Sequence, residues 1–513
     1  MGLMINNSKN HQVLFLCVLL ITALGFFLRF NAAVKQSFWQ DEVYIFNISR
    51  TNTVNQILSM EHDDISHPQL YYLLSHWLAN INTSPIFLRL PSLVASLLTL
   101  PLIYLIGKTV FGPVPGILSM LVFAVHPFYI NQGFQAKMYG LVYLFVIGSL
   151  YSLILALKTG KFRWIITSAI LAALSLYTDY SAIWYVISIL VAGLAGRLIW
   201  KKSFVNSYSS VLFIVFLTII LYVPNIKLFI FHLPTAIHDE SYLSEFRYWN
   251  ISSTLMNFSG LWSIMSYFYR TNQAVAVFAL MSLVVVAAGL LCFLSQTIAF
   301  RLREKNENFQ RFFLLFLLIS YFLPVFLTYA FSFISPIFIS RNLWISGLIF
   351  VYGIATVWKP GTNKRLWLVL GGVYIFTLGY FSFNRVGFVG ATNWKGLKQA
   401  MLKIPEAKAL VYLNYEDPFW GRLNPLREYY LEGFDRTPVP ANYKIYTIEV
   451  GKPMDINLQK KLVGLKYVWL LYSGDFLFGT PENVIQHQKT IQTAQRLLEC
   501  GNKPCQDIIL IYD

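Results

Sequence analysis

The chain has 513 residues, of which 56% are hydrophobic and 17% aromatic, while only 12% are charged. A soluble domain averages about 25% charged residues, so the composition excludes a soluble globular protein and defines an integral membrane one. The formal charge of +16 does not mark a nucleic-acid binder, because Lys and Arg are dispersed through short loops between apolar runs, where they act as topology signals.

The first apolar run, "VLFLCVLLITALGFFLRF", has no small-residue cleavage site and reads as an anchor rather than a removable leader. A helix crossing the hydrocarbon core needs about 20 apolar residues. On that measure the sequence offers eleven spans, near 12–30, 86–107, 114–131, 139–157, 163–178, 180–196, 208–231, 273–296, 312–334, 342–358 and 366–383. Basic residues fall in alternate loops, including Lys9, Lys108, Lys158, Lys161, Arg197, Arg301, Arg303 and Lys364. That set predicts the cytoplasmic side, with the amino terminus among it. The loops 31–85 and 232–272, and everything after about 384, are then extracytoplasmic.

The first outer loop is neither short nor featureless. "DEVYIFNISRTNTVNQILSM" and "HPQLYYLLSHWLANI" are aromatic-rich, amphipathic and too short to span, the pattern of helices lying in the membrane interface. From about 384 the polarity becomes ordinary. Strand-like runs "KALVYLNY", "KYVWLLYS" and "DIILIYD" alternate with helix-like stretches, which predicts a small α/β domain. The predicted fold class is thus an α-helical polytopic membrane protein. Residues 1–383 form its transmembrane part, including the outer loop 31–85, and residues 384–513 an extracytoplasmic α/β domain. Cys500 and Cys505 in "LECGNKPCQD" are disulfide candidates there, and no zinc-type Cys spacing occurs.

The acids of the membrane part gather on the outer side. Asp41 and Glu42 open the first outer loop, and "EHDDISHP" adds Glu61, His62, Asp63, Asp64 and His67. One reading is structural, with acids meeting the dipole of an interfacial helix. The other is a site for a general base and a divalent cation. In the second long outer loop "FHLPTAIHDESYLSEF" offers His232, His238, Asp239 and Glu240, either as a solvated loop or as a metal or acceptor contribution. Asp179 in "LYTDYS" reads as an ordinary turn, and Arg89 and Arg270 as side chains snorkelling to lipid head groups.

"FWQDEVYIF", "DDISHPQLYYLLSHWL", "FLRLPSLVASLLTLPLIYLIGKTVFG" and "HPFYINQGFQAKMYGLVYL" follow one another in an order that resembles a large family. These are the GT-C integral-membrane glycosyltransferases of family 39, the dolichyl-phosphate-mannose protein mannosyltransferase-like type, with the bacterial aminoarabinose transferases among them. The resemblance implies sugar transfer from a polyprenyl-phosphate carrier to an acceptor on the outer face. It implies Asp41 as general base and Glu42 as the second acidic position. His67 stands at the His of an HPPLYY-like string in which Gln69 replaces the second Pro. "QAKMY" puts Lys137, followed by Tyr139, where the family has an Arg facing the lipid phosphate, keeping the charge but losing the bidentate fork. "RNL" matches the family's "RYL" at Arg341. The expected site is therefore Asp41 and Glu42 for catalysis and Lys137, Tyr139 and Arg341 for the donor phosphate. His67, Asp64 and His238 are candidates for metal or acceptor.

No cofactor is required, since the carrier-linked sugar is already activated; a divalent cation stays a candidate. The expected partners are the lipid-linked donor, an acceptor of open identity (lipid, polysaccharide or protein) and membrane lipids. The default location is the plasma (inner) membrane of a bacterium. The alternatives are a lipid-linked oligosaccharide polymerase or ligase and a polytopic transporter. A transporter places ionisable groups at mid-membrane, and the predicted spans hold almost none.

Overall fold

A computed structural model of the chain describes residues 7–59, 67–238, 307–332, 340–356 and 364–384, with shorter stretches that include 257–260, 409–415, 429–430, 444–450, 468–471 and 509–511. The described helices are α1 (Asn7–Lys35), α2 (Gln40–Thr51), α3 (Val54–Ser59), α4 (Gln69–Ile81), α5 (Pro85–Phe111), α6 (Pro113–Val125), α7 (Pro127–Phe134), α8 (Tyr139–Thr159), α9 (Phe162–Thr178), α10 (Ile183–Trp200), α11 (Val205–His238), α12 (Asn308–Phe331), α13 (Leu348–Thr356) and α14 (Lys364–Phe383).

Among the described residues six helices are long and apolar enough to cross a membrane: Gln12–Lys35, Pro85–Phe111, Tyr139–Thr159, Tyr180–Trp200, Val205–Ile230 and Asn308–Phe331. The chain is a multi-pass membrane protein. Its α1 leaves Phe15, Leu16, Leu20 and Phe27 exposed, an apolar face that only lipid would accept. The expected span near 273–296 lies, all but residue 289, outside the described residues.

Two expected spans take a different form. The one near 114–131 is two helices, α6 and α7, bent by 62° at their junction. Pro127 is the cause: it has no N–H to give the carbonyl of Phe123, and it holds His126 extended at φ −74°, ψ 121°. The one near 342–358 begins as a 3-10 stretch, Ser340–Gly347, and becomes α-helical only in α13. The second long outer loop also starts later than expected, because α11 continues to His238.

The chain divides into two compact units. The first comprises residues 1–33, 52–76 and 89–388. Its helices meet through small residues and hydroxyls, the common glue between helices in lipid. A Cβ on Gly107 would lie 2.7 Å from Gly116 Cα, so α5 and α6 run backbone to backbone there. Ser149 on α8 donates to the Ser168 carbonyl of α9 at 2.7 Å and bonds Tyr185 of α10 at 2.9 Å. Turns punctuate the bundle: Gly160 in the left-handed region (φ 65°) closes α8, and Gly112 (φ 108°) precedes the Pro that opens α6.

The second unit joins residues 34–51 and 77–88 to 389–513. Helix α2 of the first outer loop thus groups with the carboxyl-terminal residues. Phe38 stacks on Tyr429 with ring centres 5.1 Å apart, and Phe46 meets the same ring edge-on at 5.1 Å. The Arg50 guanidinium lies 4.1 Å from the centre of the Phe434 ring. Tyr429 donates to the Thr83 carbonyl at 2.7 Å, and the Phe38 N–H donates to the Tyr430 hydroxyl. Four strands, β1 (Ala409–Tyr415), β2 (Lys444–Val450), β3 (Val468–Leu471) and β4 (Ile509–Ile511), form a parallel sheet in the order β2-β1-β3-β4. Ala409 registers with Lys444 on one side and with Val468 on the other. Parallel neighbours need crossover connections; most of the residues between these strands lie outside the described set.

Candidate active site

In the second unit, Asp41 and Glu42 occupy the first turn of α2, where acids complement the helix dipole. They differ sharply in surroundings. Glu42 is fully buried, and its Oε2 accepts from the Trp39 backbone N–H at 3.3 Å. That is one half of a capping box: a Glu three residues into the helix satisfies the N–H of the cap residue. Asp41 is only half-buried. Glu42 thus holds the helix end on which Asp41 sits.

In the first unit, the residues after α7 turn through Gln135, Ala136, Lys137 and Met138 into α8. The whole of this corner is buried, Lys137 at 1% exposure. Lys137 Nζ lies 5.2 Å from the centre of the Tyr139 ring at the first turn of α8. The corner is fixed through its backbone. The Lys137 N–H donates to the Gln135 carbonyl at 2.7 Å, and Ser92 on α5 donates to the Lys137 carbonyl at 2.6 Å. Tyr71 on α4 reaches the same Ser92 hydroxyl at 3.2 Å. Gly140 lets α8 approach, since a Cβ there would stand 2.5 Å from the Ser92 carbonyl oxygen. Gln135 donates to Asn131 Oδ1 at 3.2 Å, while the buried Oε1 atoms of Gln132 and Gln135 accept no hydrogen bond. The segment from α7 into this corner thus holds one cation, Lys137, and the two amide oxygens of Gln132 and Gln135.

Arg89, expected to snorkel, is fully buried; it donates to the Ala33 carbonyl at 2.6 Å and lies 5.2 Å from the Phe134 ring centre. Asp179, expected as an ordinary turn, is 3% exposed. Its Oδ1 accepts from the Ser181 N–H at 2.7 Å, and its Oδ2 lies 3.7 Å from His67 Nδ1. The corner between α9 and α10 is therefore tied to the start of α4. Two residues on, Gln69 donates to Asn225 Oδ1 of α11 at 2.6 Å. Neither partner of these pairs is visible from local sequence.

Arg341 is half-buried in the 3-10 stretch before α13. Arg270, Asp64, Cys500 and Cys505 lie outside the described residues, and so does the side chain of His238. No group of three or more His, Cys, Asp or Glu side chains that could hold a metal occurs among the described residues.

Residues 66–226 match the family described as dolichyl-phosphate-mannose-protein mannosyltransferase. That stretch contains His67, Arg89, Lys137, Tyr139 and Asp179. The fold resembles that of the oligosaccharyltransferase of Archaeoglobus fulgidus, crystallised with zinc and sulfate, with a TM-score of 0.51 and 12% identity over 81% of this chain and 61% of that one. ArnT of Cupriavidus metallidurans, bound to undecaprenyl phosphate, aligns over 86% of this chain and 87% of its own, with 10% identity and a TM-score of 0.47. This chain spans about three fifths of the archaeal enzyme's length. No curated protein matches it by sequence. The chain shares the fold of the archaeal enzyme, the GT-C fold.

Proposed function

We propose that the protein transfers a sugar from a polyprenyl-phosphate carrier to an acceptor hydroxyl or amine on the outer face of the membrane. The observation that carries this reading is the buried Lys137 corner, lying inside the stretch matched to a lipid-phosphate-dependent mannosyltransferase family. A phosphate leaving group needs a cation, and a cation held away from water is far stronger than one in it.

In the proposed step the Asp41 carboxylate takes the acceptor's proton as the acceptor atom attacks the anomeric carbon. The bond from that carbon to the phosphate oxygen breaks, with inversion, and the phosphate leaves on its carrier. Lys137 and Arg341 balance the charge that develops on it. Tyr139 sets the position of the Lys137 ammonium beside its ring. His67 is assigned to the acceptor side.

With this reading go eleven spans in a bacterial plasma membrane, a cytoplasmic amino terminus, and residues 384–513 as an extracytoplasmic α/β domain. Protein purified in lipid and supplied with radiolabelled sugars on polyprenyl monophosphate or diphosphate carriers tests it. Release of the carrier from a monophosphate donor supports the reading. Turnover of the diphosphate alone points to the lipid-linked oligosaccharide class instead.

A further inference from the structure

The break between α6 and α7 frees three carbonyls from their helical partners, and each finds a substitute. Arg29 of α1 donates to the Ala124 carbonyl at 3.0 Å and to the Phe123 carbonyl at 3.5 Å. Ser382 of α14 donates to the Val125 carbonyl at 2.7 Å. The same guanidinium donates to Ser96 Oγ on α5 at 2.6 Å and to the Gly25 carbonyl of its own helix at 3.2 Å. It is fully buried inside a membrane-spanning helix, and all its partners are neutral. An ionisable group placed there is costly and marks a function.

The guanidinium also abuts the helix that carries the Lys137 corner. A Cβ built on Gly133 of α7 would overlap Ser96 Oγ and lie 3.5 Å from Arg29 Nε. On α5, Arg89, Ser92 and Ser96 lie three and four residues apart, on one face. Ser92 grips the Lys137 carbonyl, and Ser96 grips Arg29. One face of α5 thus holds the Lys137 end of the segment directly and its start, at the break, through Arg29.

We propose that Arg29 is a positioning residue: it clamps the α6–α7 break and thereby fixes where the Lys137 corner stands. Few side chains can do this, since four N–H donors in a planar fork serve carbonyls of two helices and a hydroxyl of a third. The consequence for turnover rests on the function proposed above; the structural consequence does not.

The full chain in lipid nanodiscs provides the test, by comparing wild type with Arg29→Met, Arg29→Lys and Gly133→Ala. Hydrogen exchange followed by mass spectrometry reads protection over residues 120–138. Arg29→Met is expected to lower protection there by about tenfold or more while α8, α9 and α10 stay as in wild type. Gly133→Ala, which leaves every donor in place but crowds Ser96 and Arg29, is expected to do the same more weakly, and Arg29→Lys to fall between. With a polyprenyl-phosphate hexose as donor, kcat is expected to fall about tenfold in Arg29→Met with KM within about twofold, since the displaced ammonium is the one that balances charge on the leaving phosphate. Unchanged protection over 120–138, or a loss spread evenly through every helix, overturns the proposal. So does a rise in KM at constant kcat. Absence of turnover by wild type itself counts against the proposed function, and the exchange result then decides the role of Arg29 alone.

Discussion

Gln69 donates its side-chain amide to Asn225 Oδ1 at 2.6 Å, both residues buried, and Asn225 in turn donates to the Tyr222 hydroxyl at 3.3 Å. A family string with Pro at this position would present no donor to α11, so the Gln and the Asn form a matched pair. Hydrogen bonds between helices in lipid are worth roughly 0.6 to 1.7 kcal/mol. Gln69→Leu and Asn225→Leu should each destabilise by about that amount, and the double substitution by clearly less than the sum. Unfolding in mixed micelles measures all three.

Asp179 holds the corner between α9 and α10 through the Ser181 N–H and faces His67 at 3.7 Å. The first interaction is a full hydrogen bond, while the second exceeds hydrogen-bond length. Asp179→Ala should therefore cost about 1 kcal/mol, the usual loss when such a cap is removed. Asp179→Asn keeps an acceptor for Ser181 and should cost less. Thermal unfolding of the two variants separates capping from charge.

Much of the bundle is legible because lipid imposes a simple rule: a long apolar run must be a helix. The runs at 12–30, 86–107, 139–157, 208–231 and 312–334 all coincide with described spans. The break at Pro127 was within reach of the sequence, since "HPF" interrupts the third run, but Pro alone does not reveal whether the freed carbonyls find partners. Those partners, Arg29 and Ser382, come from helices far away in sequence. The burial of Asp179 and Arg89 is hidden for the same reason. "KIYTIEV" alternates as an exposed-and-buried strand does, yet it falls outside the runs read as strands and forms β2. Asp41 and Glu42 look equivalent in the sequence; only the fold shows one capping α2 and the other half-exposed.

Lys137 should act as a charge and not as packing. Lys137→Met, which keeps most of the side-chain volume, should lower kcat/KM for a polyprenyl-phosphate sugar by about 100-fold, the scale seen when one charge-stabilising donor is removed. Lys137→Arg should recover part of that loss, since it restores the cation in a buried corner shaped for Lys. Initial rates against donor concentration decide between charge and packing: a packing role would have Met tolerated better than Arg.

The central claim is that α2 presents a catalytic base, and Asp41→Asn tests it most directly. Wild type and variant, purified in the same lipid, are compared for release of the carrier phosphate from a labelled polyprenyl-phosphate sugar, with far-ultraviolet circular dichroism and unfolding checked in parallel. Turnover by wild type and a fall of about 100-fold or more in the folded variant are expected, the scale of general-base catalysis. Equal turnover in the two proteins would contradict the claim and leave Asp41 as a helix-terminal acid.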